Sequence, residues 1–204
     1  MRIPELRKKG ILIATNNSHK VRELEQLLFE FAIPIITPQQ LGISIEVDET
    51  GATFIENAIL KMKAFADRTD LPTLADDSGL VVDALDGRPG VFSARYGGKG
   101  LSDADRVNKL LDELVSVASH RRQARFVCSI AFCFSDNEPI RTYEGVVEGR
   151  ILLQPEGQGG FGYDPVFEDM ITGQSFASLS EVEKNQRSHR GRALKQFLND
   201  LQRS

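Results

Sequence analysis

The sequence predicts a mixed α/β fold, in which a mixed β-sheet is flanked by helices. Apolar strand-like runs alternate with helical patterns in the N-terminal half, and the middle of the chain is typical of a β-meander. The composition of the 204 residues, 41% hydrophobic and 26% charged, is that of an ordinary globular protein. No internal repeat, low-complexity tract or clear linker interrupts the chain, so we expect residues 1–204 to form a single domain.

The N-terminal half alternates strands and helices. Apolar residues at strand or helical spacing predict a strand at 11–14, a helix carrying Val21, Leu24, Leu27, Leu28 and Phe31, a strand at 35–36, a helix over 53–67, and strands at 73–75 and 80–84. Thr53 and Glu56 form a capping-box pattern at the start of the longer helix.

The second half begins with a glycine- and proline-rich segment, 86–100, which we expect to be a long loop around a short piece at 91–94 and the best place for a hinge or lid. The later patterns predict a helix capped by Ser102 and carrying residues 107–115, and then a strand at 125–134. A turn at Asp136-Asn137 is expected to lead into an antiparallel strand at 140–147, with a continuation at 151–153. Ser180 and Glu183 form another capping-box pattern, and the apolar residues of the last helix are Ala193, Leu194, Phe197, Leu198 and Leu201.

Charge and cysteine usage narrow the class of protein. A net charge of -4 argues against a protein that coats nucleic acid, for which a basic stripe is expected. The segment from Met1 to Gly10 is charged and has no apolar core, so we expect no signal peptide. No apolar run approaches the ~18 residues of a membrane span, so we expect no such span. Cys128 and Cys133 would lie about 17 Å apart on opposite faces of one strand, too far for a disulfide. Buried, reduced thiols of this kind fit a cytoplasmic protein.

Two acidic pairs are candidates for chemistry. Asp76 and Asp77 lie between two predicted strands, so we expect the end of a strand to present them. Adjacent carboxylates repel unless a cation or a shared proton relieves them, and such oxygen ligands suit Mg²⁺ together with substrate phosphates. On the residues alone, ordinary turn chemistry explains this pair as well. Asp48 and Glu49 form a second pair before a helix, where acids are also normal partners of the helix dipole.

Three further segments offer contacts for a nucleotide. Residues 15–20 precede a helix, where backbone N–H groups favour an anion, although Thr and Asn are also good helix caps. The glycine-rich run 157–162 includes Phe161, which could stack on a base or be an ordinary buried side chain. Lys184, Ser188, His189 and Arg190 carry donors, but alone they favour a solvated charge run. His19 and His120 have no pattern around them and are expected at the surface.

Together these segments resemble one family, the inosine and xanthosine triphosphate pyrophosphatases, which are also called the Ham1-like family. The resemblance is greatest to the bacterial members of this family. The resemblance covers nearly the whole chain from about Ile11. Six motifs carry it in the family's order: Thr15-Asn16-Asn17-Ser18-His19-Lys20, Thr53-Phe54-Ile55-Glu56-Asn57-Ala58, Ala75-Asp76-Asp77-Ser78-Gly79, Ser93-Ala94-Arg95-Tyr96, Gly159-Gly160-Phe161-Gly162-Tyr163-Asp164-Pro165 and Ser188-His189-Arg190-Gly191.

The resemblance implies an activity and an assembly. Family members cleave ITP, dITP and XTP between the α- and β-phosphates, use Mg²⁺, and clear damaged purines from the nucleotide pool. The resemblance also implies a homodimer and an elongated sheet with two lobes around a central nucleotide cleft. It leaves two rivals: a pyrophosphatase for other modified nucleotides, such as pyrimidines, and a nucleotide- or RNA-binding module without turnover.

The resemblance also implies roles for individual residues. Asp77 is expected to be the general base and a metal-linked carboxylate, assisted by Asp76, with Asp48 or Glu49 as a further Mg²⁺ ligand. The segment Thr15–Lys20 would bind the triphosphate, and Ser78 would contact the substrate. The nucleotide and its base would contact Phe161, Gly162, Tyr163, Asp164, Lys184, His189 and Arg190. A donor such as Arg190 toward O6 would accept hypoxanthine and xanthine and leave adenine mismatched.

Overall fold

The computed structural model describes residues 2–98, 100–135 and 138–203. The predicted mixed α/β class is confirmed, with one seven-stranded sheet in the order β2-β1-β3-β4-β5-β6-β7. The strands are β1 (Ile11–Ile13), β2 (Ile35–Ile36), β3 (Thr73–Val82), β4 (Gln123–Cys133), β5 (Arg141–Ile151), β6 (Phe167–Asp169) and β7 (Gln174–Ser175). The α-helices are α1 (Ile3–Lys9), α2 (Ser18–Phe29), α3 (Phe54–Ala66), α4 (Asp103–Glu113), α5 (Glu181–Arg187) and α6 (His189–Arg203).

The chain divides into two compact units, whose boundaries fall inside strands β3, β4 and β5 and after the first residue of α6. Unit 1 comprises residues 1–77, 128–145 and 190–204, and unit 2 comprises residues 78–127 and 146–189. Among the described helices, none combines the length and the apolar character needed to cross a bilayer.

The first three strands place the loops of unit 1. β1 pairs in parallel with β2 on one side and with β3 on the other. The chain therefore passes from β1 to β2 on one side and later to β3 on the other side of β1. In sheets with this change of direction, ligands bind in the crevice beyond the carboxyl ends of the strands. Ile13 of β1 is paired with Leu74 of β3. Because β1 ends there, the next residues of β3 extend past the strand beside them.

Alternation along β1 sorts the helices of unit 1 onto two faces. Ile11 and Ile13 pack in one buried cluster with residues of α1, α2 and α6, whereas Leu12 and Ala14 pack in another with residues of α3. The five predicted apolar residues of the last helix are all buried: Ala193, Leu194, Phe197, Leu198 and Leu201. Cys128 and Cys133 are buried and form no disulfide with each other, and they belong to different clusters, in agreement with the prediction that they lie on opposite faces.

Three helix starts follow the predicted caps. Complete capping boxes form at Thr53 with Glu56, at Ser102 with Asp105 and at Ser180 with Glu183. Each box satisfies backbone N–H groups that the first turn of a helix leaves without an intrahelical partner.

Several predicted boundaries are wrong. The two strands expected at 73–75 and 80–84 are one strand, β3, so Asp76 and Asp77 lie inside a strand and not at its end. The expected continuation at 151–153 stops at Ile151, and Val115, expected on the apolar face of the fourth helix, is exposed beyond its end. The segment 86–100 contains a 3-10 helix at Gly90–Arg95, which includes the expected piece at 91–94. The turn predicted at Asp136-Asn137 lies outside the described residues.

Candidate active site

The loop between β1 and α2 combines helix capping with accessible polar groups. Asn17 is the N-cap of α2, and its side chain accepts the backbone N–H groups of His19 and Lys20. Thr15 is buried and accepts the N–H of Asn17 at 3.2 Å. The capping explanation of this segment is therefore correct. A cavity of about 330 Å³ also adjoins the loop and is lined by Thr15, Asn16, Ser18, Val21, Arg22, Glu25, Thr37 and Gln39.

Asp76 is a buried carboxylate held by two cations. Lys20 lies 3.0 Å from its Oδ2, and Arg190 donates to the same oxygen from Nη2 at 3.0 Å and from Nε at 3.2 Å. Burial alone would raise the pKa of Asp76, but Lys20 and Arg190 outweigh it and hold that pKa well below its usual range. Arg190 also donates from Nη1 to Glu23, so α2, β3 and α6 meet at one ionic cluster in unit 1.

Asp77 points to the other face of the sheet, because alternate side chains of a strand face opposite sides. Its partners come from α3: Lys61 Nζ lies 2.9 Å from Oδ1, and Asn57 Nδ2 lies 3.3 Å from Oδ2. Burial raises the pKa of Asp77, while Lys61 and Lys20 oppose that shift. The expected repulsion between the paired acids is thus relieved by separation onto two faces and by Lys20 and Lys61, each of which acts on both carboxylates.

Lys61 is, with Glu23 and Asn57, a site residue that the sequence alone did not predict. Its ammonium group bridges Asp77 and Glu49, at 2.9 and 2.7 Å. Burial disfavours that charge, but Asp77, Asp76 and Glu49 together raise the pKa of Lys61. A signal was present in the sequence: Asn57 and Lys61 are spaced four residues apart among the apolar residues of α3, so two polar side chains had to lie near a buried face.

The structure distinguishes the two acids of the pair at 48–49. Glu49 is partly buried and reaches Lys61, whereas the side chain of Asp48 is exposed. Within residues 2–98, 100–135 and 138–203, no group of three or more His, Cys, Asp or Glu side chains could hold a metal ion. Two carboxylates that converge on one ammonium still fit Mg²⁺, which usually takes one or two carboxylates and completes its shell with phosphate oxygens and water.

A second cluster lies wholly in unit 2, around the glycine-rich loop. Lys184 Nζ is 2.6 Å from Asp164 Oδ2 and 4.6 Å from the centroid of the Phe161 ring. The N–H of Phe161 donates to the same carboxylate at 2.8 Å. Gly160, with φ of +71°, has no room for a Cβ because Asp164 already fills that space. The ring of Phe161 is therefore held in a fixed place beneath a buried cation.

The four residues with donors near the start of the last helix are buried, so the solvated charge run favoured by the residues alone is wrong. Lys184, Ser188, His189 and Arg190 are all buried. In unit 2 the His189 ring stacks on Phe126 with centroids 4.7 Å apart and an interplanar angle of 11°. His19 and His120 are exposed, as expected. Ser78 is half-buried within β3.

The predicted site residues thus form two groups. Unit 1 contains the segment 15–20, Asp48, Glu49, Asp76, Asp77 and Arg190, together with the unpredicted Lys61 and Glu23. Unit 2 contains Ser78, the loop residues 161–164, Lys184 and His189. The first group has the carboxylates and cations that phosphate chemistry needs, and the second has the aromatic and polar groups that suit a base.

Known proteins match this chain over almost all of its length. A dITP/XTP pyrophosphatase of Shigella flexneri is 46% identical over 192 residues, which are 94% of this chain and 97% of that protein. A protein of the same name from Halalkalibacterium halodurans is 45% identical, over 93% of this chain and 97% of the relative.

Solved structures agree with the sequence comparison. A HAM1 protein from Coxiella burnetii superposes with a TM-score of 0.86 at 42% identity, covering 96% of this chain and 99% of that one. The Staphylococcus aureus Ham1 protein gives a TM-score of 0.84 at 38% identity, covering 95% and 98%. The model of the Ham1 family matches residues 11–200. The chain therefore belongs to the Ham1 family.

Proposed function

We propose that this protein hydrolyses dITP, XTP and ITP to the nucleoside monophosphate and pyrophosphate, and so removes damaged purines from the nucleotide pool. The observation that carries the proposal is the buried Asp77 carboxylate, which Lys61 contacts at 2.9 Å in the unit that also holds the β1–α2 loop. Relatives 45–46% identical to the chain are named dITP/XTP pyrophosphatases, which supports the same reaction here.

Asp77 is the group best placed to activate water. A general base works best when its pKa lies near the working pH, and burial moves the pKa of Asp77 upward in that direction. Asp76 is unsuited to the task, because Lys20 and Arg190 stabilise its ionised form and lower its pKa. We propose that Asp76 instead fixes Lys20 beside the β1–α2 loop, so that the ammonium can neutralise a bound triphosphate.

Phosphoryl chemistry depends mostly on positioning and on neutralising charge. Lys20 and Lys61 supply two cations from unit 1, and the first turn of α2 adds the positive end of a helix dipole. Asp77 and Glu49 would hold Mg²⁺, with Asp48 as the less favoured alternative to Glu49. When bound, the metal would neutralise charge on the phosphate oxygens.

We propose that the cluster in unit 2 binds the nucleotide and its base. Phe161 would stack on the purine, and Lys184, His189 and the loop residues Gly162 to Asp164 would supply polar contacts. A contact from Arg190 to O6 of the base stays a prediction. Nε, Nη1 and Nη2 of that guanidinium each already contact a carboxylate. A base carbonyl would have to share the guanidinium with Asp76 and Glu23.

For the whole protein we propose one functional domain over residues 1–204, a cytoplasmic location, and a homodimer that binds neither membrane nor nucleic acid. The acidic net charge of -4 supports the last point. Sedimentation at micromolar concentration is expected to give twice the mass of the 22.7 kDa chain. A sedimentation mass of one chain would contradict the proposed dimer and would leave the proposed reaction unaffected.

Asp77→Asn tests the proposed reaction against a binding module without turnover. The amide keeps the size of the side chain but cannot take a proton, so hydrolysis of dITP is expected to fall by about a hundredfold to ten-thousandfold. Binding of dITP, measured by calorimetry, should persist. The exposed Asp70→Asn serves as the control and should leave turnover unchanged. A wild type that binds dITP but releases no product would favour the binding module.

A further inference from the structure

The turn at Phe161–Asp164 fixes its own shape. Asp164 accepts the N–H of Phe161 at 2.8 Å, and the N–H of Asp164 donates to the carbonyl of Phe161 at 3.2 Å. These two bonds lie within the turn itself. Lys184 contacts the Phe161 ring, and contacts to further segments of unit 2 anchor the rest of the turn.

Two contacts from distant segments of unit 2 provide such anchors. Tyr163 donates its hydroxyl to the carbonyl of Ser93 at 3.0 Å. The backbone N–H of Gly162 donates to Oδ2 of Asp103 at 2.8 Å, across 59 positions of the chain. Asp103 is the first residue of α4, and neither the acid nor its helix carries any of the roles assigned above.

The Gly162 contact acts on the centre of the loop. Gly162 has φ of +62°, a left-handed conformation that glycine adopts without strain. It lies directly between Phe161 and Tyr163. A charged acceptor strengthens the hydrogen bond to this N–H, so the carboxylate holds the backbone at the point where the loop reverses.

We infer that Asp103 is a positioning residue for the base-binding loop, acting through the Gly162 N–H to hold Phe161 in place. The inference rests on the proposed function, in which Phe161 stacks on the purine. Asp103 does not touch the reacting atoms. Its loss should therefore weaken binding of the nucleotide and leave the chemical step nearly unchanged.

Asp103 has two other interactions that a test must separate. Its acid lies in the first turn of α4, where it complements the helix dipole, and its Oδ1 lies 3.3 Å from Arg106 Nη1. Both depend on the negative charge. Asp103→Asn removes the charge but keeps a side-chain oxygen for the Gly162 N–H, whereas Asp103→Ala removes both.

The experiment compares steady-state hydrolysis of dITP by the wild type, Asp103→Ala and Asp103→Asn. The alanine variant should raise KM by about threefold to tenfold with little change of kcat, the range expected for one hydrogen bond. The asparagine variant should restore most of that loss. Asp112→Ala and Asp112→Asn, at an exposed acid of the same helix, are matched controls and should behave like wild type.

Amide hydrogen exchange at Gly162, followed by NMR, reports the hydrogen bond without turnover. Gly162 should be protected in the wild type and in Asp103→Asn, and should exchange faster in Asp103→Ala. An unchanged KM in Asp103→Ala, or an equal loss in both variants, would overturn the inference while the enzyme stays active. A wild type inactive on dITP would overturn the proposed function and the inference with it, and the exchange rates would still show whether the contact exists.

Discussion

Asp76 and Asp77 carry the same side chain, and their surroundings move their pKa values in opposite directions. Strand geometry explains the difference, because it sends one carboxylate toward α2 and α6 and the other toward α3. Asp76 is ringed by Lys20 and Arg190, which stabilise its charge. Asp77 is buried, and Lys61 is the main cation that lowers its pKa. The effect of burial is only partly offset there, so the pKa of Asp77 stays raised. One strand thus supplies a structural anion and a candidate base.

Lys61→Gln tests the electrostatic part of this account. As the proposed general base, Asp77 would act only when deprotonated, so kcat/KM should fall as the pH drops through its pKa. The Lys61 ammonium favours the carboxylate and lowers that pKa, so its removal should raise the pKa further. We expect the acidic limb of the pH–rate profile for dITP to move to higher pH in the variant, together with a loss of rate.

Lys63→Gln, at an exposed position of the same helix, is the matched control for this profile and should keep the wild-type limb. An acidic limb in Lys61→Gln that stays in place, or moves to lower pH, would contradict the assignment of Asp77 as the base.

At the scale of elements, α3 holds two partners of Asp77, namely Asn57 and Lys61. The helix begins with a capping box, in which the Thr53 side chain accepts the N–H of Glu56 and the Glu56 side chain accepts the N–H of Thr53. The box stabilises the start of the helix but makes no contact with Asp77. The two residues that do, Asn57 and Lys61, are held in place by the packing of Ala58, Met62 and Phe65 in the core.

Thr53→Ala should therefore lower stability more than activity. Loss of an N-cap side chain costs about 1 kcal/mol, which corresponds to a fall in Tm of roughly 2–4 °C for a chain of this size. Thermal unfolding is the measurement, with the exposed Thr50→Ala as control. If kcat/KM falls by more than the unfolded fraction of the variant accounts for, the cap must take part in placing Lys61.

The sequence predicted the elements that have strong local signals. Helical spacing and capping boxes located α3, α4 and α6, because those patterns depend on neighbours within one or two turns. It failed where tertiary pairing overrides local propensity. The acids, serine and glycine at 76–79 are typical of a turn, yet β3 continues through them between its neighbours in the sheet. The strands β6 and β7 are as short as β1 and β2 but are mostly polar, so they lack the apolar run that indicated those two strands.

At the scale of the whole molecule, the site depends on contacts between segments that are remote in the chain. Arg190 and Asp76 are 114 residues apart, and Arg190 and Glu23 are 167 apart. No spacing rule reaches so far, so the residues alone gave no reason to pair them. The motifs indicated which side chains matter. The structure then assigned Arg190 to Asp76 and Glu23, added Lys61, and separated Glu49 from Asp48.

The proposed metal binding and base selectivity would depend on the whole molecule. Asp77 and Glu49 are two carboxylates, so a metal held there would need the phosphate oxygens of the substrate to complete its shell. A metal bound in this way should be removable by a chelator. Selectivity for hypoxanthine and xanthine would come from polar groups that adenine leaves unpaired.

The most direct test of the central claim is hydrolysis of dITP, XTP and ITP beside ATP and GTP, each with Mg²⁺ and with EDTA, with the released phosphate species identified. We expect pyrophosphate and the monophosphate from the first three substrates only, and no product in EDTA. Release of orthophosphate would contradict the assigned bond, equal use of ATP would contradict the assigned base, and undiminished turnover in EDTA would contradict the metal site.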